Sequence, residues 1–371
     1  MKMRRKNWAK LALWCGTLFF GASIPAQATL TLYTPFGGDG FVSQGEGPFP
    51  AGVGDSAQRG IAYNAANDHV YVANRTTATA VNILSGSTGA SVGNLNVTGV
   101  TGGTLAINSI RVASDGTIYA ANLISPTATT SGNLKIYRWA NESAAPTTVL
   151  DTTMPTGFRF GDDMALRGTG ASTVMAFGQN TTNVTNANNI VFVSTTDGAT
   201  FTSQVISVAA GAGGTPVSGD FRLGIAFAEG NSLIAKGNAS NLRKVGFDLT
   251  AGTATLDATS TGFISGLTGI DYDPASKLMY GSTSGTTAGS TATIRMYDLS
   301  NFTAGTLIDS VNYPTTNANT NIAGAAAFGN GRAYVLNTNQ GIGAIVVPEP
   351  SCAMLLLAGG AMALARRRSR K

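Results

Sequence analysis

Six copies of one hairpin pattern, a further strand signal after each copy, and a charged-residue content of only 12% predict an all-β fold. The arrangement expected from them is a six-bladed β-propeller of four-stranded antiparallel blades. Each copy consists of an apolar strand, a turn rich in Asn, Asp or Gly, and a second strand rich in Tyr, Val and Ala. The copies start at Gly60, Ser109, Asp163, Gly224, Gly269 and Gly324, at intervals of 45 to 61 residues. That spacing suits blades of about 40–50 residues carrying loop insertions. A charge content near half the usual share of about 25% leaves too few Glu, Lys and Arg for a helical bundle.

The first hairpin runs from Gly60-Ile61-Ala62-Tyr63 to His69-Val70-Tyr71-Val72-Ala73-Asn74, and the last from Gly324-Ala325-Ala326-Ala327-Phe328 to Arg332-Ala333-Tyr334-Val335-Leu336-Asn337. Third strands follow the hairpins, as in Leu134–Trp139, Ile190–Val193, Val245–Leu249 and Ile294–Leu299. Weaker fourth strands are expected at Thr148–Leu150 and Leu307–Val311. After Gly343–Val347 no room remains for a fourth strand in the last unit, so the alternating Thr29–Tyr33 is expected to close the last blade from the N-terminal side. Closure removes exposed sheet edges. The Gly- and Pro-rich stretch from Gly37 to Asp55 reads as a connection into the first blade. A β-sandwich pair or a β-helix is the competing architecture, and a β-helix repeat is shorter than these units. Val70–Asn74 and its equivalents resemble YVTN and NHL-like propeller repeats. Such repeats occur in surface-layer, carbohydrate-associated and enzymatic proteins, so the resemblance selects no function.

Both ends read as addresses. Basic residues at Lys2, Arg4, Arg5, Lys6 and Lys10 precede an apolar run from Leu11 to Ala22, and Ala26-Gln27-Ala28 fits the small-x-small rule for signal peptidase, with cleavage after Ala28. Twelve apolar residues are too few to span a bilayer, which takes about 20. Residues 1–28 are therefore expected to be a cleaved signal helix, and residues 29–347 the propeller domain. At the other end stand Pro348-Glu349-Pro350, an uncharged stretch from Cys352 to Ala365, and the basic cluster Arg366, Arg367, Arg368, Arg370 and Lys371. This tripartite tail, residues 348–371, resembles the PEP-CTERM sorting signal. The resemblance implies a bacterial exosortase as partner, transient insertion of the tail helix in the inner membrane with the basic cluster inside, and release to the cell surface or an exopolysaccharide matrix.

Ten of the 24 basic residues lie in these two ends. Between Thr29 and Val347 there are 14 basic and 18 acidic side chains, so the net charge of +5 gives no case for nucleic acid as a partner. Cys15 and Cys352 are the only cysteines, and both fall in the segments expected to be removed, which excludes disulfides and thiolate chemistry from the mature body. His69 is the only histidine. Poly-histidine zinc sites are thereby excluded, and His69 reads as a structural or surface residue at the start of a second strand. No phosphate-binding glycine loop occurs; the glycines read as turn residues.

Residues that lead into innermost strands converge at the mouth of a propeller channel, where ligands commonly bind. Here they are Arg59, Asn108, Asp162 and Arg222, with Asp55, Asp220 and Asn321 close by. The set loosely resembles the central ligands of six-bladed calcium lactonases, which implies Ca²⁺ and hydrolysis as the alternative function, but it lacks their histidine pair and glutamate ligand. Asp271 and Asp273 share a strand face and could be a Ca²⁺ pair, but Asp273-Pro274 with Ser276 reads as a turn start instead. Strand tyrosines such as Tyr63, Tyr71, Tyr119, Tyr272, Tyr280 and Tyr334 are expected to pack the core. The expectation is an exported, non-catalytic surface or matrix protein with no cofactor and with exopolysaccharide as the partner.

Overall fold

The computed structural model describes residues 29–347 apart from 128, 181–187, 239, 264, 286 and 288. The expected cleavage residues Ala26 and Ala28, the Pro348-Glu349-Pro350 motif and the Arg366-Arg367-Arg368 cluster lie outside the described residues. Within them the chain is all-β, with two three-residue 3₁₀ turns at Gly170–Ser172 and Phe302–Ala304.

Two short strands come first, β1 (Thr31–Leu32) and β2 (Phe41–Ser43). Four-stranded antiparallel meanders follow. The first is β3 (Gly60–Asn64), β4 (His69–Asn74), β5 (Ala80–Ser85) and β6 (Ser91–Asn94). The second is β7 (Leu105–Val112), β8 (Ile118–Leu123), β9 (Asn133–Trp139) and β10 (Thr147–Thr153). Next come β11 (Ala165–Arg167), β12 (Val174–Gly178), β13 (Asn189–Ser194) and β14 (Thr202–Ala209), then β15 (Gly224–Phe227), β16 (Ser232–Lys236), β17 (Leu242–Asp248) and β18 (Thr253–Ser260). These two meanders merge into one eight-stranded sheet because their outer strands β14 and β18 pair in parallel at Val208–Ala254 and Ala209–Thr255. After β19 (Leu267–Asp273), β20 (Leu278–Thr283), β21 (Thr293–Asp298) and β22 (Thr306–Asn312), the chain ends its β structure with β23 (Gly324–Gly329), β24 (Arg332–Asn337) and β25 (Gly341–Val346).

Burial follows position within each meander. First and second strands are covered on both faces, so β3, β8, β15 and β16 are buried at every residue and read as continuous apolar runs. Outer strands such as β14 and β22 are mostly exposed and mix polar with apolar residues. That exposure is why their sequence signal is weak.

Between consecutive meanders lies an apolar layer. Tyr71 and Val81 meet Ile110 and Trp139; Tyr119 and Ile136 meet Met175 and Val191; Ala176 and Phe192 meet Ile225 and Leu233. Ile234 and Leu242 then meet Ile270 and Met279, Tyr280 and Met296 meet Val335 and Ile345, and Leu336 and Ile342 return to Ile61 and Val70 of the first meander. The first strands accordingly lie side by side, from β3 through β7, β11, β15, β19 and β23 back to β3. Glycine at the start of several of them has a packing cause. A Cβ on Gly60 would lie 2.8 Å from the Asn108 carbonyl oxygen, and one on Gly224 would lie 2.6 Å from Ile270 Cγ1. Gly60 and Gly224 are therefore not turn glycines, as the sequence suggests, but sites of close strand approach.

The last sheet is completed from the N-terminal side, as Thr29–Tyr33 predicts, although by two strands instead of one. β1 pairs with β25 at Thr31–Val346 and Leu32–Ile345, and β2 pairs with the same strand at Phe41–Gly343 through Ser43–Gly341. The chain leaves β25 after Tyr33 and rejoins it at Gly40. The Ala344 carbonyl accepts from Tyr33 N at 2.8 Å, and Ala344 N donates to the Gly40 carbonyl at 2.8 Å. The segment from Gly37 to Asp55 thus begins with a strand rather than serving only as a connection. Its Phe41, Val42 and Phe49 are buried. The loop between β1 and β2 depends on Gly37, where a Cβ would fall 1.4 Å from the Phe41 carbonyl oxygen.

Candidate functional site

The axis enclosed by the first strands has two ends, and each gathers polar side chains. At the end where these strands begin, Asp162 is the hub. Its side chain is 5% exposed and takes Arg159 on both oxygens, Nε to Oδ2 at 2.7 Å and Nη2 to Oδ1 at 2.5 Å, while Arg222 Nε reaches Oδ2 at 3.0 Å. Burial alone would push this carboxyl upward; the hydrogen bond from Arg159 and the charges of Arg222 and Arg159 outweigh it and hold Asp162 below the ordinary carboxylate value. Arg59 stands just ahead of β3, within reach of the charges of Asp162 and Arg222. It is pulled down to about 10 by burial first and then by Arg75, with Arg159 and Arg222 acting in the same direction against Asp162. Arg59 Nε and Arg75 Nη2 both donate to the carbonyl of Ser56, at 2.8 and 3.2 Å. Ser56 holds the left-handed conformation at φ 54, and its N–H is fixed by Asn339 Oδ1 at 2.8 Å.

Of the residues picked from the sequence, Arg59, Asp162 and Arg222 come together here. Asn108 is a buried scaffold residue whose amide donates to the carbonyls of Gly161 and Asp162 at 2.6 and 3.0 Å. Asp55 is exposed and supplies a carbonyl to Arg75. Asp220 does not join the mouth: it is buried against Arg243 at 3.0 Å. Asn321 is exposed and makes none of these contacts. Arg159 and Arg75 complete the mouth without a sequence signal. Arg159 precedes its strand on an isolated bridge to Asn180, and Arg75 follows one.

Deeper along the axis, Arg111 of β7 joins several first strands. Its Nη1 donates to the Ile61 carbonyl of β3 at 3.0 Å and its Nη2 to Asp163 Oδ1 at 3.1 Å, and Asp163 Oδ2 accepts from Ile225 N of β15 at 3.1 Å. Asp271 of β19 faces the same group, with one oxygen on Tyr272 N at 2.9 Å. Desolvation pushes both acids up to about 6, against the pull of Arg111. Asp273, in contrast, caps its turn through Ala275 N, Ser276 N and the Ser276 hydroxyl. The structure thus separates the pair read from the sequence: Asp273 makes the turn, and Asp271 belongs to the axis.

At the opposite end a cavity of about 270 Å³ is lined by residues of β3, β7, β11, β15, β19 and β23, with Arg111 and Asp271 as its inner polar groups and Tyr63, Arg167, Phe227 and Phe328 among its walls. Arg167 lies over Phe227 at 4.7 Å and is tethered to the Gly230 carbonyl at 2.6 Å. Polar residues inside otherwise apolar first strands were the available signal for Arg111 and Asp271. The strand tyrosines are all buried. His69 Nδ1 lies 2.7 Å from Glu142 Oε1, which also accepts from Tyr71 OH at 2.6 Å, a contact between the first two meanders.

The mouth around Asp162 does not fit Ca²⁺. That ion takes about 6–8 oxygen ligands, whereas both Asp162 oxygens are held by the guanidinium groups of Arg159 and Arg222 and the charge of Arg59 also bears on them. Among the described residues, no group of three or more His, Cys, Asp or Glu side chains is placed to hold a metal ion.

Comparison with known proteins adds the following. Residues 43–220 match a domain of unknown function, DUF4623, and residues 346–371 match the PEP-CTERM protein-sorting motif. No curated protein matches the sequence. A DUF4623 family protein from Bacteroides eggerthii DSM 20697 superposes with a TM-score of 0.58 at 18% identity, covering 80% of this chain and 72% of that one, a likeness of fold alone. A protein from Lactobacillus plantarum gives a TM-score of 0.43 at 12% identity, covering 79% and 86% of the two chains. The major Malassezia sympodialis allergen Mala s 1 gives 0.46 at 15% identity, covering 77% and 91%. The described all-β body is thus followed by a PEP-CTERM sorting motif, which marks the chain as an exported protein sorted through the membrane and processed by exosortase.

Proposed function

We propose that the meanders are the blades of a six-bladed β-propeller that exosortase releases to the cell surface or extracellular matrix, where it acts without catalysis as a structural or glycan-binding component. The sorting motif at residues 346–371 carries this reading. The cyclic contacts of the first strands and the return of β1 and β2 to the last sheet support the propeller. Glycan binding is supported by the cavity at the far end of the axis. Its volume of about 270 Å³ lies just under the about 300–1,000 Å³ of pockets for drug-sized ligands and suits a sugar ring. Tyr63 and Tyr272 supply aromatic wall, and Asp271 supplies an acceptor for a hydroxyl.

The test is the intact mass and both termini of the protein from surface and matrix fractions of its host. Ends near Thr29 and Pro350 in those fractions are expected. An intact tail confined to the membrane fraction would make the tail an anchor and remove the matrix role. For the glycan, the purified protein should retain the host's neutral exopolysaccharide, and Asp271→Asn should weaken retention several-fold.

A further inference from the structure

We propose that the arginine-lined mouth around Asp162, at the opposite end of the axis from the cavity, is an oxyanion-binding site for ligands that carry a carboxylate, sulfate or phosphate group. Arg59 and Arg75 meet on the Ser56 carbonyl and Arg159 and Arg222 meet on Asp162; the charges of Arg75, Arg159 and Arg222 all bear on Arg59, with Asp162 the one carboxylate among them. The remaining body carries more acidic than basic residues, so this concentration is local and not a reflection of composition.

The hydrogen bonding shows which donors are uncommitted. Arg159 is spent on Asp162 and on Ser125 Oγ at 3.0 Å. Arg59 and Arg222, in contrast, donate through Nε alone, to the Ser56 carbonyl and to Asp162 Oδ2. Among the described residues, both Nη groups of each lack a partner. Arg75 Nε is buried and also without one. Arg222 retains 27% exposure, so the mouth is open to solvent. Planar guanidinium forks with free Nη groups are suited to bidentate recognition of oxyanions, and a low-dielectric rim strengthens that attraction. The Ser56 loop sets the direction: one left-handed residue, held by Asn339, aims a single carbonyl at two arginines and brings their charges together. An ordinary scaffold would separate them, because like charges at short range oppose folding. An oxyanion across Arg59 and Arg222 would offset the surplus.

The site is independent of the cavity reading, since its ligand class and its residues differ. The experiment uses inorganic sulfate and short galacturonate oligomers as probes, titrated calorimetrically into the purified protein against chloride of equal ionic strength. Wild-type protein is expected to bind at least one probe saturably. Binding of sulfate as tight as that of the oligomer identifies a free oxyanion as sufficient, and tighter oligomer binding identifies a polymer-borne carboxylate. Arg59→Gln and Arg59→Gln/Arg75→Gln, which leave the Asp162 ion pairs in place, should lose ten-fold or more in affinity. Lys135→Gln, at the Lys135–Asp151 ion pair between β9 and β10, should bind as wild type. Without ligand, Arg59→Gln should melt no lower than wild type, because it relieves repulsion. The proposal is overturned if neither probe binds at matched ionic strength, or if the double variant retains affinity within ten-fold of wild type.

Discussion

At the scale of single residues, Asp162 and Arg59 stand in the same mouth with opposite energetic signs. Asp162 neutralises Arg159 and Arg222 while nearly buried. Removing its charge leaves two guanidinium groups facing each other, so Asp162→Asn is expected to destabilise the protein by about 3 kcal/mol, at the lower end for a broken buried pair because the arginines are partly exposed. Urea denaturation checks this; a change below about 0.5 kcal/mol would mean that water already screens the pair. The sequence exposed Arg59, Asp162 and Arg222 because each lies just ahead of a first strand, a position legible from the repeat. Arg75 and Arg159 were not legible, since one lies at the end of a second strand and the other on a bridge with no repeat equivalent. The Asp273 turn was legible from Pro274 and Ser276, but the place of Asp271 on the axis was not. Alternation fixes the face that a side chain takes, but not whether that face is the axis or a turn.

Among the elements, the first and second strands were the most legible and the outer ones the least. β3 and β4 carry mostly apolar residues because other sheets cover both faces, whereas β6 meets solvent as Ser-Val-Gly-Asn and β22 mixes Leu, Ile and Val with Thr, Asp, Ser and Asn. β2 escaped notice because three residues between glycine turns make no periodic signal; only its buried Phe41 and Val42 mark it. Its role in closure is large nonetheless. Phe41 packs with Tyr280 and Ile345, and Val42 with Ile61 and Tyr334. A chain lacking residues 29–43 would lose those side chains, each worth about 1.5–3 kcal/mol on burial, and expose the edge of β25 to other chains. We expect its thermal midpoint to fall by about 5–10 °C and the protein to aggregate. A truncated chain that stays monomeric and melts as wild type would show that β1 and β2 are ornaments rather than closure.

Across the whole molecule, the axis couples folding to pH. Asp163 and Asp271 are held at about 6 by desolvation, above the unfolded carboxylate value of about 4. The folded state therefore binds their protons more tightly, and stability should rise as pH falls from neutrality through about 6 and level off near 4. The groups facing them are Arg111, which lowers both, and carboxylates that raise them: Asp162 acts on Asp163, and Asp163 and then Asp273 act on Asp271. Asp151 and Asp162, shifted downward, stabilise above the ordinary carboxylate value and withdraw that contribution only below it. Calorimetry at pH 7.5 and 5 should show the higher melting point at pH 5, and Asp271→Asn should flatten the difference. A melting point that falls between the two values would place these carboxyls in water rather than in a dry axis.

The sequence by itself determined the all-β class, the spacing of the hairpins, the N-terminal completion of the last sheet and the sorting tail, because each is written in local periodicity or in contiguous motif. Tertiary structure alone decided which polar residues meet. Arg59, Arg75, Arg159 and Arg222 are distant in the chain and become neighbours only when the sheets pack around one axis. Likewise Arg111 and Asp271 lie on different strands and Asp163 just ahead of a third, and the altered proton affinities of the two acids come from shared burial. Burial and long-range charge are properties of the assembled sheets, and no local pattern encodes them.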